Sequence, residues 1–506
     1  MDPQVRIAAT MRTRRSVFPV RKAPPVVTPA LAARPHPMRS LLILSVAALA
    51  FALAQTTVIP ALGELADVLH TDASGVAWTL TAYLLSAAVC TPIFGRLGDM
   101  FGKRRLLVIS LGVFAAGSVV AALAHTLGLL VAGRVLQGAG GGIFPLCFAI
   151  IRDEFPREKV SSSIGLISAT FGIGGGAGLI IGGVLVDGAS YHWIFWLGAA
   201  MAAAAALLTQ LLIPESPNRQ PGRIDVRGAA VLAVGLTLPL LAIARANDWG
   251  WGSARTLGLL AAGIVILAFW VVLQRRTVQP LADVVLLARP PVLMTNIATL
   301  LVGFGMFGSF ILIPQLAEAP TSTGYGFGLD ATGAGLLMLP GALVMLVAGP
   351  FAGVLVRRFG GKVPLSLGAF VSAAGLLLMA IDHGTQAAML AWNLVLSLGI
   401  GLAFAAMPNL IFDAVPQSET GEATGFNTLV RSVGASLGSQ IAAAILTASV
   451  AVGAVLPSGD GYTTAFLVSA CVATVAAIVA LLIPRVGDPE PAPVRAPAAR
   501  MAYAER

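Results

Sequence analysis

The chain has 506 residues, of which 57% are hydrophobic and only 11% charged, with a formal net charge of +9. Soluble domains carry about a quarter charged residues, so the composition excludes an ordinary water-soluble protein and indicates an integral membrane one. No alternating pattern points to a barrel, and long apolar runs mean helices, because lipid offers backbone N–H and C=O groups no partner outside their own helix.

Residues 1–39 are rich in Pro, Ala and Arg and read as a disordered basic cytoplasmic tail, with Met38 as an alternative start. Ala52-Leu53-Ala54 imitates a signal cleavage site, but the apolar run continues to Leu62, too long for a signal core. Fourteen apolar spans follow, at 40–62, 75–95, 104–125, 127–150, 161–184, 192–213, 228–246, 257–274, 291–315, 331–354, 362–382, 387–409, 427–450 and 462–484. Residues 485–506 read as a second disordered tail. An even span count puts both termini on one side. With that side cytoplasmic, its tails and connections hold 28 of the 32 Lys and Arg, the asymmetry that orients membrane proteins. The outer side keeps Arg245 and Arg255, while Arg134 and Arg431 lie within or near the ends of spans. The basic charge is thus explained by topology, and no nucleic-acid partner is expected.

Between spans 2 and 3 stands Gly95-Arg96-Leu97-Gly98-Asp99-Met100-Phe101-Gly102-Lys103-Arg104-Arg105, read as a tight charged loop in which the single acid needs a partner. Span 4 carries Arg134-Val135-Leu136-Gln137-Gly138-Ala139-Gly140-Gly141-Gly142, and a charge inside a span is usually functional. Span 5 carries Gly165, Gly174, Gly178, Gly182 and Gly183, small residues that let helices approach closely. Two echoes recur about 260 residues later, in Gly353 to Lys362 and in Gly425, Gly434 and Gly438. Residues 40–213 and 291–484 therefore read as two homologous six-helix bundles. Residues 214–290 form a linker holding the inserted spans 228–246 and 257–274. Parallel repeats of this kind enclose a substrate cavity near the bilayer midplane.

These segments resemble the signatures of the major facilitator superfamily, in particular its fourteen-helix drug:proton antiporter group. Residues 95–105 resemble the family's loop between helices 2 and 3, and Arg134 to Gly140 its helix-4 pattern. The span-5 glycines resemble its antiporter motif, with Leu179 where the family has proline. Gln55 to Pro60 loosely resembles its helix-1 motif, with Ala54 in place of the family's acid. The resemblance implies an all-α integral membrane protein with the major facilitator fold, fourteen transmembrane helices arranged as two six-helix bundles plus two inserted helices. It implies a secondary transporter, not an enzyme, that exports amphiphilic small molecules by proton antiport through rocker-switch alternating access. The proton gradient is the energy source and no cofactor is expected; there is also no P-loop in the sequence. Gly95, Asp99, Gly102, Arg104 and Arg105 would form a gate, Arg134 would couple protons, and the span-5 glycines would form a packing seam. Asp153 and Glu154 are candidate partners for the signature bases when that side closes. Gln55, Tyr83, Gln137, Asn296, Gln315 and Asn393 are candidate cavity residues. The expected partners are a small molecule and the lipid bilayer of the plasma membrane, with a monomeric protein and both termini cytoplasmic. The alternatives are proton-coupled uptake or uniport on the same fold, and a non-transporting membrane sensor.

Overall fold

The structure is a computed structural model that describes residues 37–71, 73–216, 218–219, 225–450 and 456–484. The two tails lie outside the described residues, save Pro37 to Arg39, which open the first helix. Fourteen helices among the described residues are long and apolar enough to cross a membrane. The first six are α1 (Pro37–Thr56), α2 (Ala73–Phe101), α3 (Lys103–Ala122), α4 (Leu127–Glu154), α5 (Arg157–Gly188) and α6 (His192–Leu212). Two inserted helices follow, α7 (Val226–Ala244) and α8 (Ala254–Arg276). The last six are α9 (Pro290–Glu318), α10 (Ala331–Phe359), α11 (Lys362–Ile381), α12 (Gln386–Ala414), α13 (Thr420–Ala448) and α14 (Gly459–Leu482). Several starts are fixed by side chains that accept a hydrogen bond from the first turn's free N–H groups, among them Thr126, Asp225, Ser253 and Thr385.

α1–α6 and α9–α14 each pack around their own apolar core, Phe114, Phe144 and Phe148 in the first and Leu376, Phe404 and Phe466 in the second. The halves meet along two seams, α5 against α10 and α2 against α13. α4 and α12 are central, with 83% of their apolar windows buried by protein, whereas only 17% of α8 is buried. α8 therefore meets the lipid, showing Ile264, Val265 and Phe269 on its outside. α7 packs against α8 and also touches both α2 and α13.

Two boundaries differ from the hydropathy reading. The signature stretch is not a loop: α2 runs on to Phe101 and the chain turns at Gly102 alone, with α3 starting at Lys103. Likewise α13 starts at Thr420, seven residues before the apolar run. Hydropathy marks the stretch inside hydrocarbon, and a helix hydrogen-bonds itself equally well beyond it. Gly102 makes the turn at φ 112°, a region open to glycine, and a Cβ there would lie 2.6 Å from the Glu215 carboxylate carbon. Gly102→Ala is expected to lower stability by about 1–3 kcal/mol, read as a fall in the thermal unfolding midpoint of the purified protein.

Candidate functional site: a gate and the cavity above it

The end of the bundle that carries Arg96 to Arg105 and Arg357 to Lys362 is here called the basic end. Asp99, fully buried in the last turn of α2, reaches into the other half. Its two oxygens accept from the backbone N–H groups of Gly421, at 3.1 Å, and Glu422, at 2.8 Å. These lie in the first turn of α13, whose N–H groups have no partner within the helix and whose dipole favours an anion. Asp99 thus caps a helix of the opposite half. Beside it, Arg96 pairs with Glu422 at 3.2 Å. Lys103 sits 3.8 Å from Asp99 and 2.5 Å from Asp153, and Asp153 also accepts from Gln417 of the other half. Arg152 donates to the Thr420 hydroxyl and to the carbonyls of Phe412 and Val415. In the second half, Arg357 mirrors this by donating to the Glu158 carbonyl in the first turn of α5. The basic end is closed by these cross-half contacts.

Glycines let the helices come close enough for these bonds. A Cβ on Gly165 would lie 2.0 Å from the Gly349 carbonyl oxygen of α10, and one on Gly95 2.2 Å from that of Gly421. Gly174, Gly178 and Gly182 face the other way, onto Ala52, Thr56 and Thr57 at the end of α1, where the Thr56 hydroxyl donates to the Gly174 carbonyl at 2.6 Å. Gly183 lies nearer α10, at 3.5 Å from the Thr332 hydroxyl. The helix-5 glycines therefore serve two faces. The echo in α13 divides in the same way: Gly425 meets Pro92 of α2, while Gly434 and Gly438 meet Leu300 and Phe304 of α9.

Arg134 is fully buried in α4. It donates to the carbonyls of Ala54 and Thr79, both at 2.9 Å, and to Gln137 at 2.8 Å, and lies over the Tyr83 ring at 4.3 Å. It therefore does reach the end of α1, but at Ala54 it finds a carbonyl where a carboxylate would make an ion pair. One turn on, α4 passes through a 3-10 stretch at Ala139–Gly142, whose Gly141 packs on Ala87 and Thr91 of α2.

Beyond Pro92 and Gly425 the seam between α2 and α13 opens into a cavity. It holds about 970 Å³ free of protein atoms, part of it open to solvent. Its walls are largely apolar, with Phe51, Phe144, Phe171 and Phe307 among them, and among the described residues none that lines it is Asp or Glu. The inserted helix α7 supplies Leu240 and Ala244 to one wall. Among the described lining residues, Arg431 of α13 is the one that carries a charge.

Several sequence expectations are corrected here. Gln55 and Tyr83 line the cavity, but Gln137, Asn296, Gln315 and Asn393 do not. Gln137 holds Arg134 and donates to Ser118 at 2.7 Å. Asn296 accepts from Asn427 at 2.9 Å, tying α9 to α13. Asn393 points at the Leu337 carbonyl of α10, and Gln315 is exposed near the end of α9. Polar side chains inside a bundle find interhelical partners first. Arg104 and Arg105 do not cross between the halves either. Both donate their backbone N–H to Glu215, the Arg104 guanidinium bonds the Ile213 carbonyl, and the Arg105 side chain is exposed. Because α3 already begins at Lys103, successive residues turn through about 100°, and only Lys103 faces the gate. Of the two expected gate partners, Asp153 meets Lys103, and Glu154 is the last residue of α4. Lys103, Arg152, Glu422 and Arg431 were missed as site residues. For Arg431 the signal was present, a charge inside an apolar helix.

The sequence model of the Major Facilitator Superfamily matches residues 44–439 and again residues 295–504. The chain is 28% identical over 428 residues to the tetracenomycin C resistance and export protein of Streptomyces glaucescens, covering 84% of this chain and 78% of that protein. It is 27% identical over 379 residues to the multidrug transporter protein MdtP of Bacillus subtilis, covering 74% of this chain and 69% of that one. Among solved structures, the human organic anion transporter MFSD10 shares the fold with a TM-score of 0.62 at 15% identity, over 87% of this chain and 99% of that one.

Proposed function

The chain belongs to the major facilitator superfamily, and from that premise we propose that it exports amphiphilic organic molecules by proton antiport, rocking its halves about the substrate. The observation that carries this reading is the pairing of a largely apolar cavity with a gate closed by cross-half bonds at the basic end. An exporter of tetracenomycin C and a multidrug transporter among its relatives support the direction. By the positive-inside rule the basic end and both termini lie in the cytoplasm, in a monomer of the plasma membrane. The structure is then the outward-facing state.

The proton gradient supplies the energy. Arg134 is held by carbonyls, and among the described residues no acid lines the cavity. Proton exchange therefore falls to the buried gate carboxylates Asp99 and Glu422. Protonating one of them discharges its ion pair or cap, which weakens this state relative to its alternate by the same free energy. Substrate binding and gate opening are then linked through the shared helices α2 and α13.

The test uses inverted membrane vesicles holding a respiratory pH gradient and a panel of amphiphilic dyes. Antiport through the gate carboxylates predicts a dye-dependent collapse of the gradient that Asp99→Asn sharply reduces. Dye movement down its own gradient with no pH response would replace antiport by facilitated diffusion.

A further inference from the structure

Arg431 stands out among the buried cations. Its side chain is only 4% exposed, and the guanidinium lies over two aromatic rings, 4.6 Å from the centre of Phe171 and 4.9 Å from that of Phe404. Phe171 comes from α5 of the first half, while Phe404 and Arg431 belong to the second. Arg431 lines the cavity, yet its guanidinium has no carboxylate or carbonyl partner among the described residues, and its Nη2 is buried with no acceptor. Arg134 shares the ring contact and a buried Nη2 without an acceptor, but three acceptors hold the rest of its guanidinium and it does not line the cavity.

A guanidinium in low dielectric normally has an anion beside it, because burying an unpaired charge is expensive and Arg does not shed its proton. Ring faces attract a cation but supply no counter-charge. With neutral hydroxyls and hydrocarbon around it, nothing in the cavity wall supplies that charge.

We infer that Arg431 is the binding group for an acidic substrate: the molecules this protein exports carry a carboxylate or an ionised phenol on a ring system, the anion on the Arg431 guanidinium and the rings among Phe171, Phe307 and Phe144. The inference rests on the export reading for its physiological meaning, but the binding site stands on the geometry of the cavity. An oxyanion takes the fork's free N–H groups, which a cationic dye cannot do. The cavity selects against permanent cations by the same charge that selects for anions.

The experiment uses two dyes built on one xanthene ring system, anionic fluorescein and cationic rhodamine 123, with fluorescence anisotropy on the purified full chain. Arg431→Gln is expected to weaken fluorescein by about tenfold or more, the loss of one charge-assisted bidentate contact. Rhodamine binding should be unchanged or tighter in that variant. Arg431→Lys, which keeps the charge but not the fork, should recover part of the fluorescein affinity. Three results would overturn the assignment: no fluorescein binding by the wild type, equal fluorescein affinity in wild type and Arg431→Gln, or equal loss for both dyes. Charge-selective binding without any transport in vesicles would sink the export reading and leave the Arg431 site standing. Transport of rhodamine alone, indifferent to Arg431→Gln, would do the reverse.

Discussion

Asp99→Asn is expected to cut substrate flux by about tenfold or more while leaving the protein folded. Asparagine keeps the shape but only one acceptor oxygen, so one of the two bonds to Gly421 and Glu422 loses its charge assistance and the other is lost, its place taken by an NH2 that faces a backbone N–H. Losing one charge-assisted bond and weakening the other withdraws about 2 kcal/mol or more from the state closed at the basic end, a factor of about 30 or more in the conformational equilibrium. The fold survives because Lys103 keeps Asp153 as its counter-ion. The shift is visible without substrate. In a variant lacking Cys90, Cys147 and Cys471, a cysteine at Ser161, which now donates to Asn409 across the seam, should react faster with a maleimide offered from the basic end once Asp99 is neutral. Unchanged labelling together with lost flux would mean that Asp99 acts in some other step.

The second large effect separates the two faces of α5. Gly165→Ala places a methyl 2.0 Å from a backbone oxygen of the opposite half, and Gly182→Ala places one 2.2 Å from the Thr57 carbonyl of its own half. Neither oxygen can rotate aside. Overpacking of this kind costs about 1–3 kcal/mol, and at these distances the upper end applies. The first clash exists only while the seam at Gly349 is shut, so Gly165→Ala should favour the alternate state and raise labelling at the basic end as Asp99→Asn does. The second exists in both states, so Gly182→Ala should lower the thermal midpoint without changing labelling. Gly112→Ala is the control: nothing lies within 4 Å of its Cβ, and neither readout should move. The same response from Gly165→Ala and Gly182→Ala would refute the two-face reading.

The number of helices and their division into repeats were legible because hydrocarbon imposes length and apolarity on every span, and because the bases fall on alternate connections. The close-packing glycines were legible for a related reason: spacing alone places Gly174, Gly178 and Gly182 on one stripe of a helix. The cavity was not. In a helix apolar on all sides, sequence does not say which stripe faces lipid, a neighbouring helix or open space, so Asn296 and Asn393 looked the same as true lining residues. Arg431 escaped for a measurable reason. Starting span 13 at residue 427 leaves this arginine near the membrane surface, where it could snorkel. The helix starts at Thr420, eleven residues before it, which sets the guanidinium about 16 Å along the axis. The polar first turn that hid those residues from hydropathy is the turn that Asp99 caps.

Helix α7 belongs to neither repeat, yet it closes the cavity wall with Leu240 and Ala244 and touches a helix from each half. A polar tie to the second half is the Asn247 side chain, just past its end, on Gln440. When two rigid bodies rotate, a rod lying across the crack between them must slip on one or turn with both. Apolar contact has no preferred direction along a surface, so α7 can slip over α2 or α13 at little cost in any one position. Its place across that crack suits it to keep lipid tails out of the pocket as the halves turn.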